Sequence, residues 1–330
     1  VTTLLGISSF PENHILSLGM LGMHGLVHAN MAVQNADLII AIGMRFDDRA
    51  TADTSTFAPR AHIIHIDIDP AEIGKNIATD VPIVGDVKNV LRAMNEEIER
   101  GEHLDWLSQL DQWRCEYPSL KIRQSDELLP QYIISQLYEA TRGDATVVTG
   151  VGQHQMWAAQ HFLYIKPNSF ISSGGLGTMG FELPGAMGVK VGCPDELVWC
   201  IAGDGGFQMT IQELATIAQE NIAIKIAIIN NGYLGMVRQW QELFHQRRYA
   251  QVKLWNPDFV KVAEAYGIPA IRVKRREEVM PSILKAMDYD GPFLIDFIVE
   301  PEENVHPMVQ PGADLSQILE LPKPELTSSY

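Results

Sequence analysis

The chain has 330 residues, 46% of them hydrophobic and 20% charged, with 25 basic residues against 41 acidic ones and a formal net charge of −16. That acidity disfavours a phosphate backbone as partner, which requires a basic face. The chain has no apolar run long enough to span a bilayer and no basic stretch leading into an apolar one at its start. Neither nucleic acid nor a membrane is therefore expected as a partner, and any anionic ligand has to be held locally by backbone N–H groups, a metal or a few arginines. Cys115, Cys193 and Cys200 are scattered and form no Cys-x-x-Cys pair, which suits a reducing cytoplasm and argues against a zinc site or a disulfide framework.

A length of 330 exceeds what one compact core usually holds, so two domains are expected. The chain starts at Val1, and residues 1–7 read as the middle of a strand and its turn, as in a piece of something longer. Strand-like and helical runs then alternate, the pattern of an α/β fold with parallel sheets flanked by helices. In the first part, residues 36–43 and 62–68 are predicted buried strands and 89–99 a helix. Residues 101–126, polar and carrying tryptophans and Pro118, read as a linker.

From residue 127 the pattern predicts helices over 128–140, 152–162, 183–191, 210–220, 258–266 and 277–287. It predicts strands over 145–150, 169–173, 197–202, 225–229, 271–273 and 293–299, with a glycine-rich turn at 174–180. The expected boundaries are 1–100 and 127–300 for the two domains and 301–330 for a tail. That tail contains five prolines and little periodicity, and is either disordered or a flap laid over something.

The sharpest constellation is Gly203-Asp204-Gly205 followed by Asn230-Asn231, with residues 206–229 between them. That gap is one helix and one strand, so Asp204 and the asparagine pair fall side by side at the carboxyl ends of neighbouring parallel strands, where open α/β sheets bind ligands. A carboxylate oxygen from Asp204 and an amide oxygen from Asn231 are hard donors suited to Mg²⁺, with the Tyr233 carbonyl as a third. Gly203, Gly205 and Gly206 let backbone N–H groups approach an anion, and a helix opening near Thr210 adds its positive end. A tight strand-to-helix turn and an Asn-Gly turn would produce the same letters.

In the first part, Gly22-Met23-His24-Gly25 and the run from Gly43 to Arg49 stand out. Arg45, Asp47 and Arg49 lie just beyond a strand end, where arginines can fork a diphosphate and an aspartate can accept from sugar hydroxyls. Asp67 ends the next strand, and Asp86 follows another short apolar run. There is no Gly-x-Gly-x-x-Gly, so an ordinary Rossmann site is a poor reading. Surface ion pairing at strand ends, and for His24 a satisfied turn histidine, remain alternatives.

The Gly-Asp-Gly and Asn-Asn spacing resembles the signature of thiamine-diphosphate enzymes. Three stretches narrow the resemblance to acetolactate (acetohydroxyacid) synthases: Gly150-Val-Gly-Gln-His-Gln-Met-Trp-Ala-Ala-Gln160, Ser173-Gly-Gly-Leu-Gly-Thr-Met-Gly180 and Asn231-Gly-Tyr-Leu-Gly-Met-Val-Arg-Gln-Trp-Gln241. The resemblance covers essentially the whole chain. It implies an FAD-binding central domain in the first part, holding flavin with Met23, His24, Arg45, Asp47, Arg49, Asp67 and Asp86, and a thiamine-diphosphate and Mg²⁺ domain in the second.

By the same resemblance, Val151, Gly152, Gln153 and His154 line the cofactor, with Gln153 and His154 placed to hydrogen-bond or shuttle protons. Gly177 and Met179 meet the aminopyrimidine, Met179 wedging beneath the bent cofactor. Met236, Val237 and Trp240 face the substrate entrance. Core packing for Met179 and a buried covering role for Trp240 are the plainer alternatives.

The implied reaction decarboxylates pyruvate and joins the two-carbon unit to a second 2-keto acid, pyruvate or 2-oxobutanoate, in branched-chain amino-acid synthesis. The implied assembly is a homodimer or tetramer, with a small regulatory subunit as a possible partner. The glutamate that activates the cofactor in this family belongs to an N-terminal domain outside this chain, so the chain alone is expected to be inactive. A pyruvate oxidase-like enzyme and a non-catalytic cofactor-binding fragment are the rival readings.

Overall fold

The structure, a computed structural model, describes residues 1–320. It divides into two compact units: residue 1 and residues 18–121 and 306–320 form the first, and residues 2–17 and 122–305 form the second.

The first unit contains α1 (Val27–Asn35), β1 (Leu38–Ile42), α2 (Asp48–Thr51), β2 (His62–Asp67), β3 (Val81–Val84), α3 (Val87–Glu97) and α4 (Leu104–Glu116). Strands β1, β2 and β3 form a parallel sheet in that order, with Leu38 opposite His62 and Ile64 opposite Val81. Its core gathers Leu21, Val33, Phe46, Phe57 and Ile63, with Phe46 meeting Phe57 and His65 edge-on at 5.8 and 5.0 Å.

Two expectations need correction here. Residues 101–126 are not a bare linker, because α4 occupies half of them. Trp106, Leu110 and Trp113 recur at helical spacing, so one face of α4 is apolar and closes over Leu18, Leu26, Ala29 and Ala32. The opening residues form no strand. Leu4–Gly6 make a single 3₁₀ turn, capped by the Thr3 hydroxyl, which accepts from the Gly6 N–H at 3.2 Å.

The second unit runs α5 (Pro130–Thr141), β4 (Thr146–Thr149), α6 (Gln153–His161), β5 (Phe170–Ser172), α7 (Glu182–Gly192), β6 (Val198–Gly203), α8 (Asp204–Met209) and α9 (Leu214–Gln219). It continues with β7 (Lys225–Asn230), α10 (Gly235–Phe244), α11 (Phe259–Ala265), β8 (Ala270–Val273), α12 (Arg276–Asp288) and β9 (Phe293–Ile298). All six strands are parallel, in the order β5-β4-β6-β7-β9-β8. Helices cover both faces, so β6, β7 and β9 are near-continuous apolar runs buried on both sides. The helix expected to open near Thr210 opens instead at Asp204, directly off the end of β6; a 3₁₀ turn at Ile211–Glu213 then separates α8 from α9.

The expected tail is also corrected up to residue 320. The stretch from 306 belongs to the first unit, where β10 (Met308–Val309) and β11 (Ile318–Leu319) pair antiparallel and Val309 and Leu315 enter the core. The Val309 N–H donates to the Met23 carbonyl at 2.7 Å. Residues 321–330 of that tail lie outside the described residues. Among the described residues no helix is long and apolar enough to cross a membrane.

If the apolar face of α4 is what holds it, Leu110→Ala removes about 2–3 kcal/mol of stability locally. The expected readout is faster amide hydrogen exchange in α1 and α4; unchanged exchange there would show that the helix is held by something else.

Candidate active site

The chain makes β4, moves to β5 at one edge, then returns past β4 to lay down β6 on its other side. Connections leaving the carboxyl ends of β4 and β6 therefore diverge, and a crevice opens between them. A cleft is found there. It is lined by Val151 and Gly152 after β4, by Gly203, Asp204, Gly205 and Gly206 after β6, and by Asn231, Tyr233 and Met236 after β7.

Asp204 is buried, with 2% of its surface exposed. Its carboxylate accepts from the Gly232 N–H at 2.8 Å, the Asn256 amide at 2.7 Å and the Gly205 N–H at 3.0 Å. No described cationic side chain pairs with it, and burial raises its pKa to about 6. Asn231 lies beside it, with Oδ1 accepting from the Tyr233 N–H at 3.0 Å. The Asn231–Tyr233 turn thus holds both oxygen donors. A carboxylate kept out of water without a cation and an adjacent amide oxygen, beside the glycines that open α8, are a donor set that fits Mg²⁺ chelated to a diphosphate.

The remaining predicted residues fall on or near this cleft. Gln153 and His154 open α6 and line it, as do Met179 and Val237. Met179 lies across from Gly205, its Cε 3.7 Å from where a side chain at Gly205 would begin. Gly177 holds a left-handed conformation, with a Cβ position 3.9 Å from Val151. Trp240 lines a second cleft, with Gln241, His245 and Arg248, and Val237 borders both.

The protein encloses both His154 and Gln153. Burial lowers the His154 pKa to about 4, so its ring is neutral at pH 7; its Nε2 is buried without a partner, and the ring packs against Gly203. Gln153 is 3% exposed, and its amide is engaged by protein groups at both ends.

In the first unit, Arg45, Asp47 and Arg49 follow β1, Asp67 ends β2 and Asp86 follows β3, so all five lie at the carboxyl edge of the sheet. Arg45 pairs with Asp47 and Arg49 with Asp48, each at 3.0 Å, with both arginine side chains largely exposed. Met23 and His24 are buried, and the Met23 N–H donates to the Arg49 carbonyl at 2.8 Å. Burial and the neighbouring Arg49 hold His24 near a pKa of 4. Asp86 is committed to capping α3, accepting from the Asn89 N–H at 3.1 Å, so its carboxylate is already in structural use.

Sequence reasoning missed Asn256, which bridges Asp204 and Asn230 from a loop with no spacing signal. It also missed Glu182, for which a signal existed, since it is the one acid in the apolar helix α7. Glu182 is fully buried between Gly150 and Gly206, both of its oxygens lack hydrogen-bond partners, and burial raises its pKa to about 7.

Because its folded pKa lies above the ordinary 4.5, stability contributed by protonated Glu182 is complete below about pH 4.5 and is lost as pH rises through about 7. Glu182→Gln is therefore expected to be more stable than the parent at pH 8, by up to roughly 3 kcal/mol, with the gap closing towards pH 5. Urea unfolding at both pH values measures this, and a pH-independent difference would falsify the assignment.

Two family models match the chain. The central domain of thiamine pyrophosphate enzymes matches residues 1–94, and their C-terminal TPP binding domain matches residues 150–297. Among curated relatives, the acetolactate synthase large subunit of Corynebacterium glutamicum is 51% identical over 96% of this chain and 53% of its own length. The acetolactate synthase of Mycobacterium bovis is 52% identical over 96% and 54%, and the chloroplastic acetolactate synthase 1 of Zea mays is 46% identical over 96% and 52%. The chain spans about half the length of the curated relatives it matches. The chain belongs to the thiamine pyrophosphate enzymes, whose central and C-terminal TPP binding domains together match most of it, and it is similar over 96% of its length to acetolactate synthases.

Proposed function

We propose that this chain forms the cofactor-holding part of an acetolactate synthase, which decarboxylates pyruvate and transfers the two-carbon unit to pyruvate or 2-oxobutanoate. The observation that carries this reading is the buried, cation-free Asp204 beside the Asn231 amide at adjacent strand ends. Asp204, the Asn231 Oδ1 and the Tyr233 carbonyl would hold Mg²⁺, and the glycine turn from Gly203 to Gly206 would admit the diphosphate. Bound thiamine diphosphate supplies the electron sink that makes loss of CO₂ feasible. Met179, facing Gly205, would buttress the cofactor from below. His154 offers a neutral ring and no charge. Val237 and Trp240, bordering the second cleft, would limit the acceptor keto acid.

In the first unit we assign FAD to the sheet edge carrying Arg45, Arg49 and Asp67, whose exposed guanidinium groups suit a diphosphate. The reaction has no net redox change, so the flavin's role there is structural. A homodimer or tetramer, and a regulatory subunit of the kind that the name of the Corynebacterium relative implies, complete the proposed assembly. Free thiols at Cys115, Cys193 and Cys200 suit the cytoplasm.

Calorimetry with thiamine diphosphate and Mg²⁺ tests the central assignment. Asp204→Ala should weaken cofactor binding at least tenfold. Undiminished affinity in that variant would remove the metal site from Asp204 and the function with it.

A further inference from the structure

An asparagine coordinates a cation only through its amide oxygen. A flipped Asn231 would aim its NH₂ group at the metal and repel it. Which way such an amide points is set by what both of its ends are bound to, and the Asn231 Oδ1 accepts from the Tyr233 N–H at 3.0 Å. Asn231 Nδ2 donates to Gln153 Oε1 at 3.2 Å, which requires Gln153 to turn its own oxygen towards Asn231. Gln153 is turned that way because its Nε2 donates to Gln239 Oε1 at 2.9 Å and to the Glu303 carbonyl at 3.0 Å.

Gln239, on α10 and wholly buried, pairs with the backbone of Val305 at two points. Its Oε1 accepts from the Val305 N–H at 2.8 Å, and its Nε2 donates to the Val305 carbonyl at 3.1 Å. A side-chain amide can flip, but a peptide N–H and C=O cannot exchange places. Fixed backbone groups therefore set the polarity of the relay: Val305 orients Gln239, Gln239 and the Glu303 carbonyl orient Gln153, and Gln153 and the Tyr233 N–H orient Asn231. The relay is also closely confined: a Cβ at Gly235 would lie 2.1 Å from Gln153 Oε1 and 2.7 Å from Asn231 Nδ2, so only glycine lets the chain pass over the Gln153–Asn231 bond.

We propose that Gln239 is a positioning residue for metal binding, fixing through Gln153 the orientation in which Asn231 presents its oxygen. This rests on the Mg²⁺ reading of Asp204 and Asn231. Loss of an outer-shell partner that orients a ligand typically costs ten- to a hundredfold in metal affinity.

The test is calorimetric titration of the full chain with Mg²⁺ at saturating thiamine diphosphate, on the parent, Gln239→Met, Gln239→Glu and Asp204→Ala. Gln239→Met, of similar length and unbranched, should weaken Mg²⁺ binding about tenfold. Gln239→Glu keeps the acceptor that Gln153 and Val305 require, and burial keeps its carboxyl protonated, so it should recover most of that affinity. In the Gln153→Met background, Gln239→Met should add no further loss, because it acts through Gln153. A merely structural role would lower the urea midpoint without changing the Mg²⁺ affinity of the folded protein. Unchanged affinity in Gln239→Met, or a loss that Gln239→Glu repeats in full, overturns the proposal while Asp204→Ala still abolishes binding. If Asp204→Ala also binds normally, the metal reading fails and takes the proposal with it.

Discussion

A carboxylate held out of water needs either protonation or positive charge nearby, and Asp204 is built so that hydrogen bonding alone is not enough. Three N–H donors reach it, from Gly205, Gly232 and Asn256, yet burial still raises its pKa to about 6. The surrounding architecture serves that one group. Strands β6 and β7, buried on both faces, hold two chain ends in register, with Gly203 opposite Ile229, so Asp204 and Asn231 emerge side by side. The change of direction around β4 keeps the space in front of them clear.

The groups around Asp204 are neutral. Gln153, Gln239 and Asn231 are linked amide to amide, as are Asn256 and Asn230, and burial keeps His154 uncharged at pH 7 and Glu182 uncharged below it. Amides fix orientation without the desolvation cost of additional ions. The Asp258, Arg272 and Asp296 cluster ties α11, β8 and β9 together and reaches the Asp204 network through Asn230, which donates to Asp296 at 2.9 Å. In the first unit the arginines at the sheet edge are exposed and paired only with near neighbours. Such pairs add little stability, and the guanidinium groups stay accessible to a ligand.

The parallel strands and the Gly-Asp-Gly and Asn-Asn turns could be read directly from the amino acids. Their signals are local: an apolar run bounded by glycine marks a strand end, and the gap between two such ends spans one crossover. The same local view misjudged residues 101–126, where Pro118 and polar residues masked the Trp106, Leu110 and Trp113 face, and it read 306–320 as tail because a two-residue hairpin has no periodicity to detect.

What the sequence by itself determined is the fold class and the placing of Asp204 and Asn231 at neighbouring strand ends, because both follow from near-neighbour pattern and strand order. Tertiary structure alone decided which groups carry charge and which way the amides point. Glu182 keeps its proton up to about pH 7 because Gly150 and Gly206 close around it, and Gln153 faces Asn231 because Gln239, 86 residues away, and the Glu303 carbonyl turn it there. Desolvation and hydrogen-bond polarity depend on partners that only folding brings together, so no spacing in the chain encodes them.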